Sequence, residues 1–312
     1  MTVTGPVEPS ELGMIMPHEH VLVDFIGADS ISKDRYARED VVELVQPYLS
    51  DLKEAGGHTL IECTPNYLGR DPLLLQTLAK NTGVQLLTNT GYYGDEAGKY
   101  LPDHVYSESA EQIAKRWQNE WDYGIGERSV RPGFIKMRVD QSPISDTGRK
   151  LLEAAAIVHK NSGLTIGVHT PNGETALEQI EILEANGVSP SAFIWIHAQN
   201  EDDSSIHIEA ARRGAWVELD GIGAGSAEYH LQFLLDIKEA GLLDHVLISQ
   251  DAGWYRVGEP NGAPEKFTPY TYLINSFIPM LKEHGFTSGE IEQLTVTNPQ
   301  RAFTISKRVI ES

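Results

Sequence analysis

Leu164-Thr165-Ile166-Gly167-Val168-His169-Thr170 is a short apolar, β-branched run set between two helical patterns, and its reading decides the fold. Before it, residues 146–160 carry apolar side chains at helical spacing and stop at Asn161-Ser162-Gly163. After it, residues 174–185 repeat that pattern, close at Asn186-Gly187, and lead into a second apolar run at 193–198. Strand, loop, helix and strand in that order make a βαβ unit, because parallel neighbours need a crossover helix.

The same unit recurs in both directions. Toward the N-terminus the strand-like runs are 133–140, 84–90, 58–65 and 14–24, separated by helical patterns at 109–123, 71–80 and 38–55. Toward the C-terminus helix 204–213, strand 215–220, helix 227–240 and strand 245–249 follow, and then a long loop precedes the last helices. Counted from His18, eight strand-like runs alternate with eight helical stretches, which is the repeat of a closed α/β (β/α)8 TIM barrel. We expect one barrel domain over residues 1–312, with a short N-terminal β segment at 2–12 forming a small hairpin. An open doubly wound sheet is the main competitor. It is weakened by the absence of a Gly-x-Gly-x-x-Gly turn after the first strand.

Composition limits the partners. The 312 residues hold 45 Asp and Glu against 25 Lys and Arg, a formal charge of -20, so nucleic acid or an anionic membrane would be repelled. No run approaches the roughly 20 apolar residues of a membrane helix, and no basic stretch followed by an apolar core opens the chain. Cys63 is the only cysteine, which excludes an intramolecular disulfide framework and fits a reducing compartment. The expectation is a cytoplasmic protein acting on a small molecule.

Catalytic residues of such barrels sit at the C-terminal ends of the strands. Reading those ends yields His18 and His20 on the first strand, Lys136 on the fourth, His169 on the fifth, His197 on the sixth and Asp251 after the eighth. His18 and His20 are two residues apart, so on an extended strand they share a face, with Glu19 turned the other way toward a supporting role. Lys136 shares a face with Phe134, Arg138 and Asp140, opposite Ile135, Met137 and Val139. Taken singly, each has a bland reading: a lysine snorkelling from a strand edge, histidines bonded within a core, an aspartate capping a turn. Together they put four imidazoles, an amine and a carboxylate at one mouth, which is enough for two metals.

That order, His-x-His, Lys, His, His, Asp along an eight-unit chain, resembles the phosphotriesterase-like family of the amidohydrolase superfamily. Gly5-Pro6 and Leu12-Gly13 before His18-Glu19-His20, and Asn298-Pro299-Gln300-Arg301-Ala302-Phe303 near the end, are similar to that family's two termini. The resemblance implies a binuclear centre, with His18, His20 and Asp251 on the buried metal, His169 and His197 on the exposed one, and a carbamate on Lys136 bridging both. Ligand type favours zinc, with manganese, cobalt or iron as alternatives. It further implies hydrolysis by a water shared between the metals, with Asp251 accepting its proton. Relatives of this kind often form homodimers.

Departures from the pattern bear on the substrate. Phosphotriester-hydrolysing relatives carry an aspartate and a histidine where this chain has Asn200, or its neighbour Glu201, and Gly221. Tyr92-Tyr93 resembles the aromatic position of lactonase-type relatives, where a phenol, assigned to Tyr92, would hydrogen-bond the nucleophile or a lactone oxygen. Arg138, Arg256 and Lys266 are candidate contacts, with Tyr92 and Tyr93, for an anionic or hydroxylated substrate such as a sugar-acid lactone or its phosphate. The sequence thus points to a lactone or carboxylic-ester hydrolase. The alternatives are a phosphotriester or N-acyl amide hydrolase on the same centre, and a metal-binding barrel without catalysis.

Overall fold

The structure, a computed structural model, describes residues 1–94, 97–126 and 130–310. Its strands are β1 (Met14–Val23), β2 (Gly57–Glu62), β3 (Gln85–Leu87), β4 (Asn89–Thr90), β5 (Phe134–Arg138), β6 (Ile166–His169), β7 (Phe193–Ile196), β8 (Trp216–Leu219), β9 (Val246–Ile248) and β10 (Ala252–Arg256). All neighbours pair in parallel, in the orders β10-β1-β2-β3 and β4-β5-β6-β7-β8-β9. Only Thr88 separates β3 from β4, and only Ser249-Gln250-Asp251 separates β9 from β10. Each pair is therefore one barrel strand with a break, and the breaks join the two sheets into a (β/α)8 barrel. Across the second break, Ser249 Oγ accepts from His18 N at 2.9 Å, and Asp251 N donates to His18 O at 3.1 Å.

The helices lie between the strands as the sequence periods require: α1 (Arg38–Glu54), α2 (Pro72–Thr82), a short α3 (His104–Ser107), α4 (Ala110–Tyr123), α5 (Asp146–Ser162), α6 (Gly173–Ala185), α7 (Ser204–Arg212) and α8 (Ala227–Glu239). Their starts are written in side chains that take otherwise unpaired N–H groups: Asp71 for α2, Ser109 for α4, Ser145 for α5, Asn172 for α6 and Ser226 for α8. Gly83 and Gly163 end α2 and α5 in the left-handed region, at φ 70° and 82°. Short C-terminal helices α9 (Ile278–Glu283), α10 (Ser288–Glu292) and α11 (Asn298–Phe303) complete the chain. Among the described residues no helix is long and apolar enough to cross a membrane.

Side-chain alternation sorts the core into two layers. Ile15, Ile61, Phe134, Ile194, Trp216 and Leu247 fill the barrel interior, while Ile135, Met137, Val168, Trp195 and Val217 face outward to the helices. Burying a side chain such as Phe134 or Ile135 contributes roughly 1.5–3 kcal/mol. The C-terminal Asn298-to-Phe303 stretch plugs the bottom of the barrel. Asn298 Nδ2 donates to Leu243 O and Val246 O at 2.6 and 2.8 Å, and Phe303 stacks edge-on against Phe134.

Two local features differ from expectation. The N-terminal hairpin is a single antiparallel bridge between Thr2 and Gly5, followed by a 3-10 turn at Pro9–Glu11, because three prolines within residues 6–17 leave few N–H groups for a ladder. The long loop after the eighth strand begins with β10, whose ladder partner is the otherwise open edge of β1.

Candidate metal centre

β1 supplies the first two ligands. Ile15 faces the interior and Met16 the helices, so strict alternation would put His18 outside. The register against β2 slips between Met16 and Glu19, around Pro17, and resets the phase. His18 and His20 consequently face the interior together, with ring centroids 5.5 Å apart. Glu19 points away, as alternation predicts, and is fully buried. Its carboxylate accepts from Ser249 Oγ, Gln250 N and Ala252 N.

β5 and β6 keep their phase to the end. Lys136 shares the inner face with Phe134, and His169 shares it with Gly167, whose missing side chain leaves room for Ile196 and Phe134. His197 is reached differently. Trp195 points outward and Ile196 inward, so an extended residue 197 would face the helices. Instead its backbone turns left-handed, φ 62° and ψ 41°, and brings the ring to 5.0 Å from His18 and 4.3 Å from His169. A non-glycine residue there costs roughly 1–2 kcal/mol. Asp220 offsets it, accepting from His197 N at 2.9 Å and from Nδ1 at 2.6 Å. Asp251, also left-handed at φ 50°, brings Oδ1 to 3.1 Å from His20 Nε2 and 3.7 Å from His18 Nε2.

One regularity governs all four imidazoles: each has its Nδ1 engaged by a neighbour outside the cluster. His18 Nδ1 lies 3.0 Å from Glu218 and 3.3 Å from Asp220, His20 Nδ1 2.7 Å from Thr64 Oγ1, His169 Nδ1 3.2 Å from Tyr93 Oη, and His197 Nδ1 2.6 Å from Asp220. The carboxylates beside His18 and His197 can only accept, so they set the tautomer that carries its proton on Nδ1, and all four partners fix the direction of their rings, as around metal-ligating histidines generally. Burial, joined for His18 by the Lys136 charge, lowers the His18 pKa to about 4, and burial also lowers His20 and, with the His197 and Lys136 charges, His169. These rings are therefore neutral, the form that binds a cation.

The group that would fit can be tested on these atoms. His18 Nε2 is buried without a hydrogen-bond partner, Asp251 Oδ1 is buried with His20 Nε2 at 3.1 Å, and His18, His197 and Asp251 each offer one atom within 4.8 Å of the others. Lys136 is 1% exposed, and among the described residues nothing hydrogen-bonds or ion-pairs its Nζ. Burial pushes Asp251 up, but the His20 hydrogen bond and the neighbouring imidazoles outweigh it and hold the carboxyl below its ordinary value. Stranded donor atoms of this kind are costly unless something binds them, and the set suits divalent cations.

Several functional residues have no counterpart in the sequence reading: Thr64, Gln199, Glu218 and Asp220. Gln199 Nε2 donates to Asp220 Oδ1 at 2.7 Å, and its Oε1 accepts from Asp220 N. Glu218 is pushed well up by burial and by the adjacent Asp220 charge, whereas the His197 and His18 rings, which hydrogen-bond the Asp220 carboxylate, overcome burial and hold it well down. Trp216-Val217-Glu218-Leu219-Asp220 alternates, and that pattern could have flagged two acids on the inner face. For Thr64 no local signal exists.

The expected substrate contacts divide. Tyr93 is the phenol directed at the cluster, and Arg138 lies against it, its Cζ 5.3 Å from the ring centre. Tyr92 is directed away: it is buried against Trp117 and Tyr67, and its hydroxyl meets His104 Nε2 at 3.1 Å. Arg256 stacks over Trp254, and Lys266 is an exposed rim residue paired with Glu259. Asn200 and Glu201 stand at the end of β7, and Gly221 follows Asp220. A side chain at 221 would meet Gln199 and His230.

Comparison with known proteins agrees with this geometry. The model of the phosphotriesterase family matches residues 1–303. A phosphotriesterase homology protein of Escherichia coli (strain K12) is 28% identical, covering 93% of this chain and 98% of its own. An N-acetyltaurine hydrolase of Bos taurus is 25% identical over 97% of each. A solved structure of a protein whose organophosphate hydrolysis was engineered from a weak promiscuous lactonase template superimposes with a TM-score of 0.87, at 27% identity, over 97% of this chain and 98% of that one.

Proposed function

The chain belongs to the phosphotriesterase family, and from that premise we propose that it is a metal-dependent hydrolase of lactone or carboxylic-ester bonds. The observation that carries the reading is the common orientation of the four imidazoles, every Nδ1 held from outside and the opposite ring edges left to the cluster with Asp251 and Lys136, whose Nζ has no hydrogen-bond or ion-pair partner among the described residues. His18, His20 and Asp251 would hold one divalent cation, zinc by ligand type, and His169 and His197 the other. A free ammonium cannot ligate a cation, so Lys136 would take part as its carbamate, an anionic oxygen donor. When bound, the two cations supply a lowered pKa for water and a Lewis acid for the scissile carbonyl.

The chain's own groups do the rest. Asp251, its carboxyl held below its ordinary value beside the imidazoles, accepts the proton of the attacking water. Tyr93 orients His169 through Nδ1 and brings a phenol to the edge of the cluster. Support for an acyl over a phosphoryl substrate comes from Gly221, which has no imidazole to carry a proton away, and from Asn200 with its neighbour Glu201, whose carboxylate is engaged by Gly173 N and Asp203 N. An N-acyl amide is the second reading, favoured by the relative named as an N-acetyltaurine hydrolase.

Metal analysis of the purified protein, followed by lactones, esters, N-acyl amines and phosphotriesters scored by acid release, tests both. Lactone or ester turnover that needs metal is the expected result. A protein that holds far less than two metals per chain, and gains nothing from added zinc or manganese with bicarbonate, would refute the reading.

A further inference from the structure

The four imidazole rings continue into an arc of aromatic side chains that closes around the mouth of the site. From His169 the ring contacts run to Tyr93 at 5.4 Å, Tyr100 at 5.8 Å, Phe25 at 6.3 Å and Trp254 at 5.9 Å, and return to His20 at 4.3 Å. Phe25 is 40% exposed, and the other three are half-buried. The arc is thus an apolar wall, reachable from solvent, directly beside the ligand cluster, the kind of surface that folding buries unless a ligand uses it. Trp254 is held there against its backbone preference, at φ 83°, by an indole N–H donated to Asp251 O at 2.6 Å.

Arginines stand at the two ends of the arc. Arg138 lies over the Tyr93 ring and Arg256 over Trp254, with Cζ 5.3 and 5.8 Å from the ring centres. Neither guanidinium has a carboxylate or carbonyl partner among the described residues, and the Nε of each is buried without a hydrogen bond. In a chain with 45 acids and 25 bases that is unexpected. Arg70 and Arg213 each pair with a glutamate at 2.6 Å, and Arg308 donates to backbone carbonyls. A guanidinium packed on an aromatic face keeps its N–H edge for a planar anion. Arg138 is also one strand alternation beyond Lys136, and it stands opposite His169 across the β5–β6 ladder.

We propose that the substrate is an anion with an apolar arm. The aryl or alkyl part lies along Tyr93, Tyr100, Phe25 and Trp254, and Arg138 takes a carboxylate, sulfonate or phosphate group, with Arg256 as the anchor at the far end. The scissile bond in this picture rests on the hydrolase reading above; the recognition of the anion does not.

Two measurements on the full-length protein test it. Rates on matched aryl esters and γ-lactones, neutral or bearing a carboxylate, sulfonate or phosphate, should favour the anionic members. Arg138→Gln should lower kcat/KM for them about tenfold more than for their neutral partners, mostly through KM, and Arg138→Lys should recover part of the loss. Separately, 4-phenylbutyrate and its sulfonate and phosphate analogues should quench tryptophan fluorescence saturably. Trp254→Phe should remove the signal, and Arg138→Gln should weaken binding about tenfold. The head group with the largest dependence on Arg138 names the anion. Equal losses on neutral and anionic substrates, or equal binding of 4-phenylbutanol and 4-phenylbutyrate, overturn the proposal. Arg138-dependent anion binding without any hydrolysis would leave it standing and remove the hydrolase reading, whereas hydrolysis without anion preference would do the reverse.

Discussion

The carboxylate of Glu19 accepts the backbone N–H of Ala252 at 2.6 Å, and so ties the ligand strand β1 to the turn that carries Asp251. Its other oxygen accepts from Ser249 Oγ at 2.8 Å and Gln250 N at 3.2 Å, so one buried side chain spans both flanks of the aspartate. An amide in place of this carboxylate would set N–H against N–H at one of these contacts. Glu19→Gln is expected to cost about 1–3 kcal/mol and to loosen metal at Asp251. Thermal melts with and without metal read both effects, and an unchanged melt would remove Glu19 from this role.

Asp220 holds His18 and His197 at once. Asp220→Asn keeps the shape but can set at most one of the two tautomers, so metal affinity should fall by about 10–100-fold. Competition against a chromophoric chelator measures it; wild-type affinity would show that the imidazoles need no such partner.

Lys136→Ala removes the group assigned as the carbamate bridge. The variant should hold less metal and lose about two orders of magnitude in turnover, consistent with a term of several kcal/mol, and acetate should restore part of both. An active, metal-replete Lys136→Ala protein would mean the bridge is misassigned.

The two tyrosines after β4 should separate cleanly. Tyr93→Phe removes the phenol at His169 and is expected to lower kcat/KM about tenfold, or 1.4 kcal/mol. Tyr92→Phe loses only the contact to His104 and should cost about 1 kcal/mol of stability rather than turnover. Steady-state kinetics beside urea melts would expose the opposite assignment.

Glu62 gives a pH signature. Burial raises it from 4.5 to about 7 against the hydrogen bond from Thr64. Between those values the folded state keeps a proton that the unfolded chain has released, so stability falls as pH rises through the window and stays reduced above 7. Glu62→Gln abolishes the penalty. For the metal-free protein, the stability of the variant relative to wild type should rise on the order of 3 kcal/mol between pH 4 and 8. A difference that does not change with pH would place the carboxylate in a solvated state.

Much of this was legible in the chain itself. Hydrophobic period, helix caps and glycine stops are local properties, and they marked the βα repeat that closes as a barrel. Within a strand the alternation of faces is also local, which is why Lys136 and His169 could be assigned inward from sequence. Past a strand end that rule lapses. His197 and Asp251 reach the cluster through left-handed backbone, and Gly91, at φ 116° and packed on the Lys136 carbonyl, breaks the phase before Tyr92 and Tyr93, so the phenol facing the centre is Tyr93. Thr64, Glu218 and Asp220 meet the histidines from strands distant in sequence, and β10 exists because β1 has an edge to offer. Those contacts are set by closure of the ring. A residue's period records which way it faces along its own strand, but which side chain it will meet depends on where the other strands are placed.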